Sequence, residues 1–205
     1  MIKFHNVKWK NFLSAGDQWT EIELDTHKNT LIMGHNGSGK STFLDALTFV
    51  LFGRPFRKVN KGNVVNSINN KNCLVEIEFT ISNKKYKIIR GAKPNIFEIY
   101  CDGKVVNQDA AVKDYQEHLE KHILKMNYKS FTQVVILGSA SFVPFMQLSA
   151  NDRRAVIEDL LDIQIFTAMS NVVKNRLQIN REGLEKNRIV LTSKEENKTY
   201  IEQTL

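Results

Sequence analysis

The segment that most constrains the fold is residues 34–42, which read Gly-His-Asn-Gly-Ser-Gly-Lys-Ser-Thr. They match in full the phosphate-binding pattern G-x-x-x-x-G-K-[ST], which lies between a strand and a helix. The apolar run at 29–33 supplies the predicted strand, and the apolar stretch at 42–52 supplies the predicted helix. The sequence therefore predicts an α/β protein with a P-loop NTPase fold.

Each part of this loop has a predicted task. Its glycines let the backbone turn tightly with N–H groups facing phosphate oxygens, and the helix N-terminus adds a positive dipole end. Lys40 is expected to reach the β- and γ-phosphates of ATP, and the Ser41 hydroxyl to bind Mg²⁺. The predicted ATP-binding residues are Gly34, Asn36, Gly37, Ser38, Gly39, Lys40, Ser41 and Thr42. The loop alone does not distinguish an ATPase from a GTPase or a small-molecule kinase.

The distribution of charge suggests a polyanionic partner. Residues 1–150 carry 20 Lys and Arg against 13 Asp and Glu, whereas residues 151–205 carry nine of each. A basic cluster of this kind is either a solvated face or a contact surface for a nucleic-acid backbone. The candidate DNA contacts are Arg54, Arg57, Lys58, Lys61, Lys84 and Lys85.

Periodicity predicts two regions, a domain at 1–150 and a helical region at 151–205. Predicted strands span 2–8, 19–24, 30–33, 73–79, 86–90, 96–100, 104–106 and 131–137, and predicted helices span 42–52, 111–125 and 151–205. The N-terminus alternates apolar and polar residues, unlike a signal peptide. Cys73 and Cys101 are far apart in sequence and are expected to be reduced core residues of a cytoplasmic protein. They show no metal-ligand spacing.

The helical region carries a seven-residue apolar repeat. Five of the seven positions Ile163, Ser170, Leu177, Leu184, Leu191, Lys198 and Leu205 are apolar. A helix of about 50 residues is about 75 Å long, too long to lie on a domain of this size. The repeat therefore favours the start of a coiled coil over a single amphipathic helix that packs on its own domain.

The sequence shows no apolar strand that ends in the carboxylate a nucleotide hydrolase needs for its metal and water. The simplest interpretation is that the chain forms one half of a split site. A distant C-terminal segment is expected to return along an antiparallel coiled coil and complete the sheet.

The chain resembles the structural-maintenance-of-chromosomes-like (SMC-like) ATPases of double-strand-break repair. These include the SbcC-type proteins and the large subunits of T-even phage recombination endonucleases. The likeness rests on residues 7–14, on the loop with the following Leu44-Asp45-Ala46, on residues 131–142 and on residues 151–154.

The resemblance implies the N-terminal lobe of an ABC-type ATPase head, with a mixed sheet and an antiparallel β block. It implies that ATP is sandwiched between two heads and that the coiled-coil base docks a nuclease subunit. It also places Leu13 and Ser14 on the adenine side, where relatives have an arginine at the first position. Ser139 stands where relatives have a glutamine that contacts Mg²⁺ and the attacking water.

The leading hypothesis is an ATPase subunit of a DNA repair and recombination nuclease complex, located in the cytoplasm (of the host cell, if the chain is of phage origin). Its expected partners are its own C-terminal half, a second head, a nuclease subunit and double-stranded DNA. Its expected cofactors are ATP and Mg²⁺. The alternatives are a small-molecule kinase or other P-loop phosphotransferase, and a DNA tether that binds nucleotide without hydrolysing it.

Overall fold

The computed structural model describes residues 2–57, 59–106, 112–137, 143–161 and 163–204. The chain divides into two compact units, Met1–Leu160 and Leu161–Leu205. The sequence-based boundary at residue 150 stays a prediction. No helix of the described ranges is long and apolar enough to cross a membrane.

A six-stranded sheet forms the centre of the first unit. Its strands are β1 (Ile2–Lys10), β2 (Thr20–Glu23), β3 (Cys73–Ile81), β4 (Lys84–Ala92), β5 (Ile96–Cys101) and β6 (Lys104–Val105). They lie in the order β2-β1-β3-β4-β5-β6, and every pair is antiparallel. Alternate residues of β3 are buried, as the alternating sequence predicts. The predicted hairpin across Asp102 and Gly103 is confirmed.

Helix α1 (Thr42–Phe52) follows the glycine-rich loop and packs against the sheet. Its residues from Asp45 to Phe52 are all buried, because the helix is apolar nearly all round and is covered on most sides. The helix ends at Gly53, whose φ of 71° is left-handed and whose N–H donates to Phe49 O. The predicted bounds of this helix are therefore confirmed.

The predicted strand at 30–33 is wrong in this structure. Residues 30–35 form no strand, and the side chains of Leu31 and Met33 are 79% and 80% exposed. A strand persists only where a neighbour pairs with its N–H and C=O groups, and no strand in the described ranges lies beside this run.

The predicted strand at 131–137 is also wrong, because helix α3 (Tyr128–Val134) covers most of it. Asn127 caps the helix by accepting the N–H of Ser130 at 3.0 Å. Phe131 and Ile136 are buried, whereas Val134, Val135 and Leu137 are exposed. A short apolar run fits a strand or a helix, and here the polar cap before it selects the helix.

The predicted helix at 111–125 agrees with the structure, whereas the predicted unbroken helix at 151–205 is wrong, because two separate helices, Ala150–Leu160 and Gln164–Thr204, lie in that range. Helix α2 (Val112–His118) continues as a π-helical segment at Leu119–Leu124, with Tyr115, Leu119 and Ile123 buried. Helix α4 (Ala150–Leu160) is joined to α3 by Asp159, which accepts Ser130 Oγ–H at 2.8 Å and the N–H of Asn127 at 2.9 Å.

The second unit consists mainly of one long helix, α5 (Gln164–Thr204). Apolar side chains on its repeat are largely exposed, including Leu177, Leu184 and Leu191. At 41 residues, α5 is about 60 Å long. A helix with an uncovered apolar repeat is the form expected of one strand of a coiled coil.

Candidate nucleotide site

The glycine-rich loop adopts a conformation that only glycine accepts easily. Gly37 and Gly39 have φ values of 85° and 89°, in the left-handed region. A Cβ on Gly34 would lie 2.5 Å from Ser38 Oγ, so a larger residue here would force the Ser38 hydroxyl to move. The N–H of Ser38 donates to His35 O at 3.2 Å, and that of Thr42 to Gly39 O at 2.9 Å. These contacts fold the chain into a tight loop at the start of α1.

The Lys40 ammonium lies across the mouth of this loop. Its Nζ donates to Gly34 O at 2.6 Å and to His35 O at 2.7 Å. Both acceptors are exposed loop carbonyls, so the ammonium is held near the turn without being buried. This is a position from which a lysine can exchange carbonyl partners for phosphate oxygens, which form stronger, charge-assisted bonds.

The Ser41 hydroxyl is available for a ligand. Ser41 stands at the N-cap of α1 with αR backbone angles, and its side chain makes no capping hydrogen bond. It is also exposed. A hydroxyl oxygen is a ligand that Mg²⁺ accepts when phosphate oxygens and waters complete the shell. The adjacent Thr42, by contrast, is buried at the start of the helix.

A cavity of about 420 Å³ opens between this loop and the first two strands. Such a volume is within the range of small-molecule sites. It is lined by Trp9, Ser14, Ala15, Thr20, Ile22, Ile32, Met33, Gly37, Ser38, Gly39, Lys40, Thr42 and Phe43. The glycine-rich loop contributes Gly37, Ser38, Gly39 and Lys40 to the lining, and strands β1 and β2 with the turn between them contribute Trp9, Ser14, Ala15, Thr20 and Ile22.

The structure separates the two residues predicted on the adenine side. Ser14 lines the cavity and is exposed. Leu13 is half-buried, packs against the core and does not line the cavity. The cavity also includes Trp9, Thr20 and Ile22, which sequence reasoning missed. The pairing of β1 with β2 brings them there, and the strand patterns alone did not show which face meets the loop.

A buried carboxylate supports the helix that follows the loop. Asp45 is fully buried in the first turn of α1. It accepts the N–H of Arg57 at 2.9 Å and its Nε–H at 2.6 Å, and Nη2 lies 2.5 Å from Oδ2. The Arg57 guanidinium therefore faces a carboxylate, although its side chain is 48% exposed. Arg57 as a DNA contact stays a prediction.

The far end of α1 is held by a second arginine. Arg90 donates from Nε to Val50 O at 3.0 Å and lies 3.7 Å from the Phe97 ring centroid. Gln116 donates to Leu51 O at 3.0 Å, so two side chains satisfy carbonyls at the helix C-terminus. Burial lowers the pKa of Arg90 to about 9, and the nearby Glu120 opposes the shift, so the group is charged at neutral pH.

The predicted basic contacts do not form one cluster. Arg54 stacks on Tyr128 at 3.6 Å, just beyond the end of α1. Lys84 and Lys85 are exposed at the start of β4, six and five residues from Arg90. At about 3.3 Å per residue, these lysines lie about 17–20 Å along the strand from Arg90, which contacts the end of α1. Lys58, the Lys61 side chain and Ser139 lie outside the described residues.

A family model described as an AAA domain matches residues 6–205, nearly the whole chain. The chain belongs to the AAA domain family. Among curated relatives, it is 46% identical to exonuclease subunit 2 of Escherichia phage RB69 over 182 residues, covering 88% of the chain and 32% of the relative. It is 47% identical to exonuclease subunit 2 of Enterobacteria phage T4 over 172 residues, which cover 84% of the chain and 30% of that relative.

A more distant relative of this AAA domain is the SbcC component of the SbcCD nuclease of Staphylococcus aureus. It is 26% identical over 180 residues, which cover 80% of the chain and 18% of the relative. The chain thus spans about a third or less of the length of these relatives. The resemblance to SbcC-type and phage endonuclease large subunits is confirmed.

Solved structures confirm the fold of this AAA domain. The Smc head domain with an extended coiled coil from Pyrococcus furiosus matches with a TM-score of 0.58 at 19% identity, over 94% of this chain and 50% of that chain. The Smc head domain with a coiled coil and joint from Pyrococcus yayanosii matches with a TM-score of 0.53 at 19% identity, over 94% of this chain and 38% of that chain. The predicted ATPase-head fold with the start of a coiled coil is therefore confirmed.

Proposed function

We propose that this chain is the ATP-binding part of an ATPase subunit in a DNA double-strand-break repair and recombination nuclease complex. The observation that carries the proposal is the glycine-rich loop, with Lys40 at its mouth, set against a cavity of about 420 Å³. Family membership supports the proposal, since the phage relatives are exonuclease subunits and the bacterial relative is a nuclease subunit.

In this proposal the loop holds the triphosphate of ATP. The N–H groups of the loop and the positive end of α1 attract phosphate oxygens. Lys40 exchanges its bonds to Gly34 O and His35 O for bonds to the β- and γ-phosphates. The Ser41 hydroxyl binds Mg²⁺, which neutralises phosphate charge when bound. Gly34, Asn36, Gly37, Ser38, Gly39 and Thr42 complete the proposed phosphate site.

Hydrolysis requires groups that these residues do not supply. No strand in the described ranges ends in a carboxylate beside the loop. We infer that the C-terminal half of the same protein and a second head complete the site. ATP then stabilises the paired heads, and hydrolysis releases them, because the nucleotide has different affinities for the two states.

The same proposal assigns the DNA and nuclease partners. Excess positive charge in residues 1–150 suits a double-stranded DNA backbone. The exposed apolar repeat of α5 suits pairing in an antiparallel coiled coil, with a nuclease subunit docked near its base. A cytoplasmic location is proposed for the complex.

The experiment uses the full-length subunit, with and without Mg·ATP, in light-scattering measurements of mass. Wild type is expected to dimerise only with nucleotide, whereas Lys40→Ala stays monomeric. Lys28→Ala, which changes an exposed lysine before the loop, is the matched control and should behave as wild type. ATP-dependent dimerisation by Lys40→Ala at the wild-type concentration would contradict the proposal.

A DNA tether that binds but does not hydrolyse ATP is the second candidate. The position of Leu13 favours it, because this side chain packs against the core and brings no cation to the cavity. Single-turnover assays with the full-length subunit distinguish the two. Release of phosphate from bound ATP supports the ATPase, and persistence of intact ATP supports the tether.

A further inference from the structure

The turn after β1 is strained and must be held by its surroundings. Asn11 and Leu13 have φ values of 49° and 52°, in the left-handed region. Leucine rarely adopts this conformation, because its Cβ then lies too close to the following carbonyl oxygen. Local bonds close the turn, from Asn11 N–H to Gly16 O at 2.7 Å and from Ala15 N–H to Phe12 O at 2.9 Å. Ser14 and Ala15 of this turn line the same cavity as the glycine-rich loop.

Asn66, which lies far from this turn in sequence, holds it through its side-chain amide. Its Nδ2 donates to Leu13 O and to Ala15 O, each at 3.1 Å. Its Oδ1 accepts the N–H groups of Ile68 and Asn69, each at 3.0 Å. An amide has two donors and two acceptor lone pairs, so all four hydrogen-bonding positions are used. The side chain is 6% exposed, so water is largely excluded from these bonds.

Further bonds attach the same segment to the start of the turn. The backbone N–H of Asn66 donates to Asn11 O at 2.9 Å, and Asn69 Nδ2 donates to Asn11 Oδ1 at 2.7 Å. Asn11 Nδ2 then donates to Asp17 Oδ1 at 2.7 Å. These contacts fix both ends of the turn, whereas the bonds from Asn66 Nδ2 fix its middle. The backbone N–H of Leu13 also donates to Val64 O at 2.7 Å, and Asn66 is the side chain that holds the carbonyls of Leu13 and Ala15 on either side of Ser14.

The position of this turn determines which part of a nucleotide it meets. Ser14 and Ala15 line the same cavity as Gly37 and Lys40. If the glycine-rich loop takes the phosphates, the rest of the cavity lining, which includes this turn and Thr20, is left for the nucleoside. A shift in the turn would then change contact with the nucleoside and leave the phosphate contacts in place.

We propose that Asn66 is a positioning residue for the nucleoside half of the site. It touches no nucleotide itself and acts through the carbonyls of Leu13 and Ala15. The inference rests on the proposed function, since it requires that the loop binds a nucleoside triphosphate. It adds a second structural requirement, which the phosphate-binding pattern does not contain.

The test compares two ligands that differ only in the nucleoside. Dissociation constants for Mg·ATP and for Mg·tripolyphosphate are measured by calorimetry on the full chain. Asn66→Ala is expected to weaken Mg·ATP binding by about ten-fold, since it leaves two carbonyls without a donor, and to change tripolyphosphate binding by less than about two-fold. Asn66→Ser keeps one hydroxyl donor, so an intermediate loss is expected. It also serves as the test if Asn66→Ala does not fold.

The matched control is Asn127→Ala, which removes the N-cap of α3 without touching the cavity lining. It should lower the melting temperature, because a helix cap is lost, and leave the ratio of the two dissociation constants unchanged. Equal weakening of both ligands in the Asn66 variants, or unchanged ATP binding, would overturn the inference. Wild type that binds neither ligand would instead overturn the proposed function.

Discussion

At the scale of single residues, the most demanding group near the loop is the buried carboxylate of Asp45. Its charge is tolerated because Arg57 supplies a backbone N–H and a guanidinium. We expect Arg57→Ala to lower the free energy of unfolding by about 1.5–3 kcal/mol, the usual cost of losing a hydrogen bond to a charged group. Urea unfolding followed by circular dichroism measures this difference.

The control for this prediction is Arg54→Ala, an arginine three residues earlier. Arg54 stacks on the ring of Tyr128, a contact expected to contribute about 0.5–1 kcal/mol at an exposed site. If both variants lose the same stability, the Asp45–Arg57 pair has no special role in holding α1.

The two cysteines should differ in reactivity. Cys73 is buried in β3, and this burial raises the pKa of its thiol to about 11. Because the thiolate is the nucleophile, Cys73 should react slowly with iodoacetamide at pH 8. Cys101 is only half-buried and should take up the reagent in the native protein. Mass spectrometry of the native chain should then show one modified cysteine, and the unfolded chain should show two. Rapid native labelling of Cys73 would contradict the described β3 packing.

At the scale of elements, the end of α1 depends on one glycine. Gly53 has a left-handed φ of 71°, and a Cβ there would lie 3.0 Å from an Arg90 guanidinium nitrogen. Gly53→Ala should therefore lower the free energy of unfolding by about 1–2 kcal/mol. Gly62→Ala is the matched control, because a Cβ at Gly62 meets nothing within 4 Å and its φ is not left-handed. Chemical denaturation of both variants measures the difference, and equal stability would contradict the described helix end.

Elements whose signals are local could be predicted from sequence. Helix α1 could be predicted because a glycine-rich loop precedes it and Gly53 follows it. Strand β3 could be predicted because its apolar and polar residues alternate. The apolar run at 30–33 led to a wrong strand prediction, because a strand needs a neighbouring strand to pair with and a local pattern does not show one. The run at 131–137 misleads because its apolar residues fit either structure, and only the Asn127 cap distinguishes them.

The candidate site was predictable only in its phosphate half. The loop residues are contiguous and follow a known pattern, so their grouping needed no tertiary information. The rest of the lining combines Trp9 and Thr20, which strand pairing brings together, with Ser14 of the turn, and the turn is supported by Asn66, 50 or more residues away. No spacing in the sequence relates Asn66 to Leu13. The part of the candidate site outside the glycine-rich loop could therefore be recognised only in the structure.

At the scale of the whole molecule, the uneven charge predicts salt-dependent DNA binding. Each lysine that contacts a phosphate steepens the fall of log affinity with log salt by about 1. If Lys84 and Lys85 are contacts, replacing both with alanine should reduce that slope by about 2. Fluorescence anisotropy with duplex DNA at several salt concentrations measures it.

The control for DNA binding also removes two positive charges. Lys121 and Lys129 each pair with a carboxylate, Glu117 and Asp152 respectively, so their double alanine variant should keep the wild-type slope. An affinity that does not change with ionic strength would exclude a backbone contact by any of the basic residues.

The central claim is that Lys40 and its loop hold the triphosphate of ATP, and equilibrium binding of Mg·ATP to the chain tests it most directly. Lys40 is not buried, and within the described part of the chain its ammonium bonds to two exposed carbonyls, so Lys40→Ala should keep the fold and its melting temperature. The account predicts at least a ten-fold loss of affinity, about 1.4 kcal/mol, because a charge-assisted bond to phosphate is removed. Equal affinity of wild type and Lys40→Ala would contradict it.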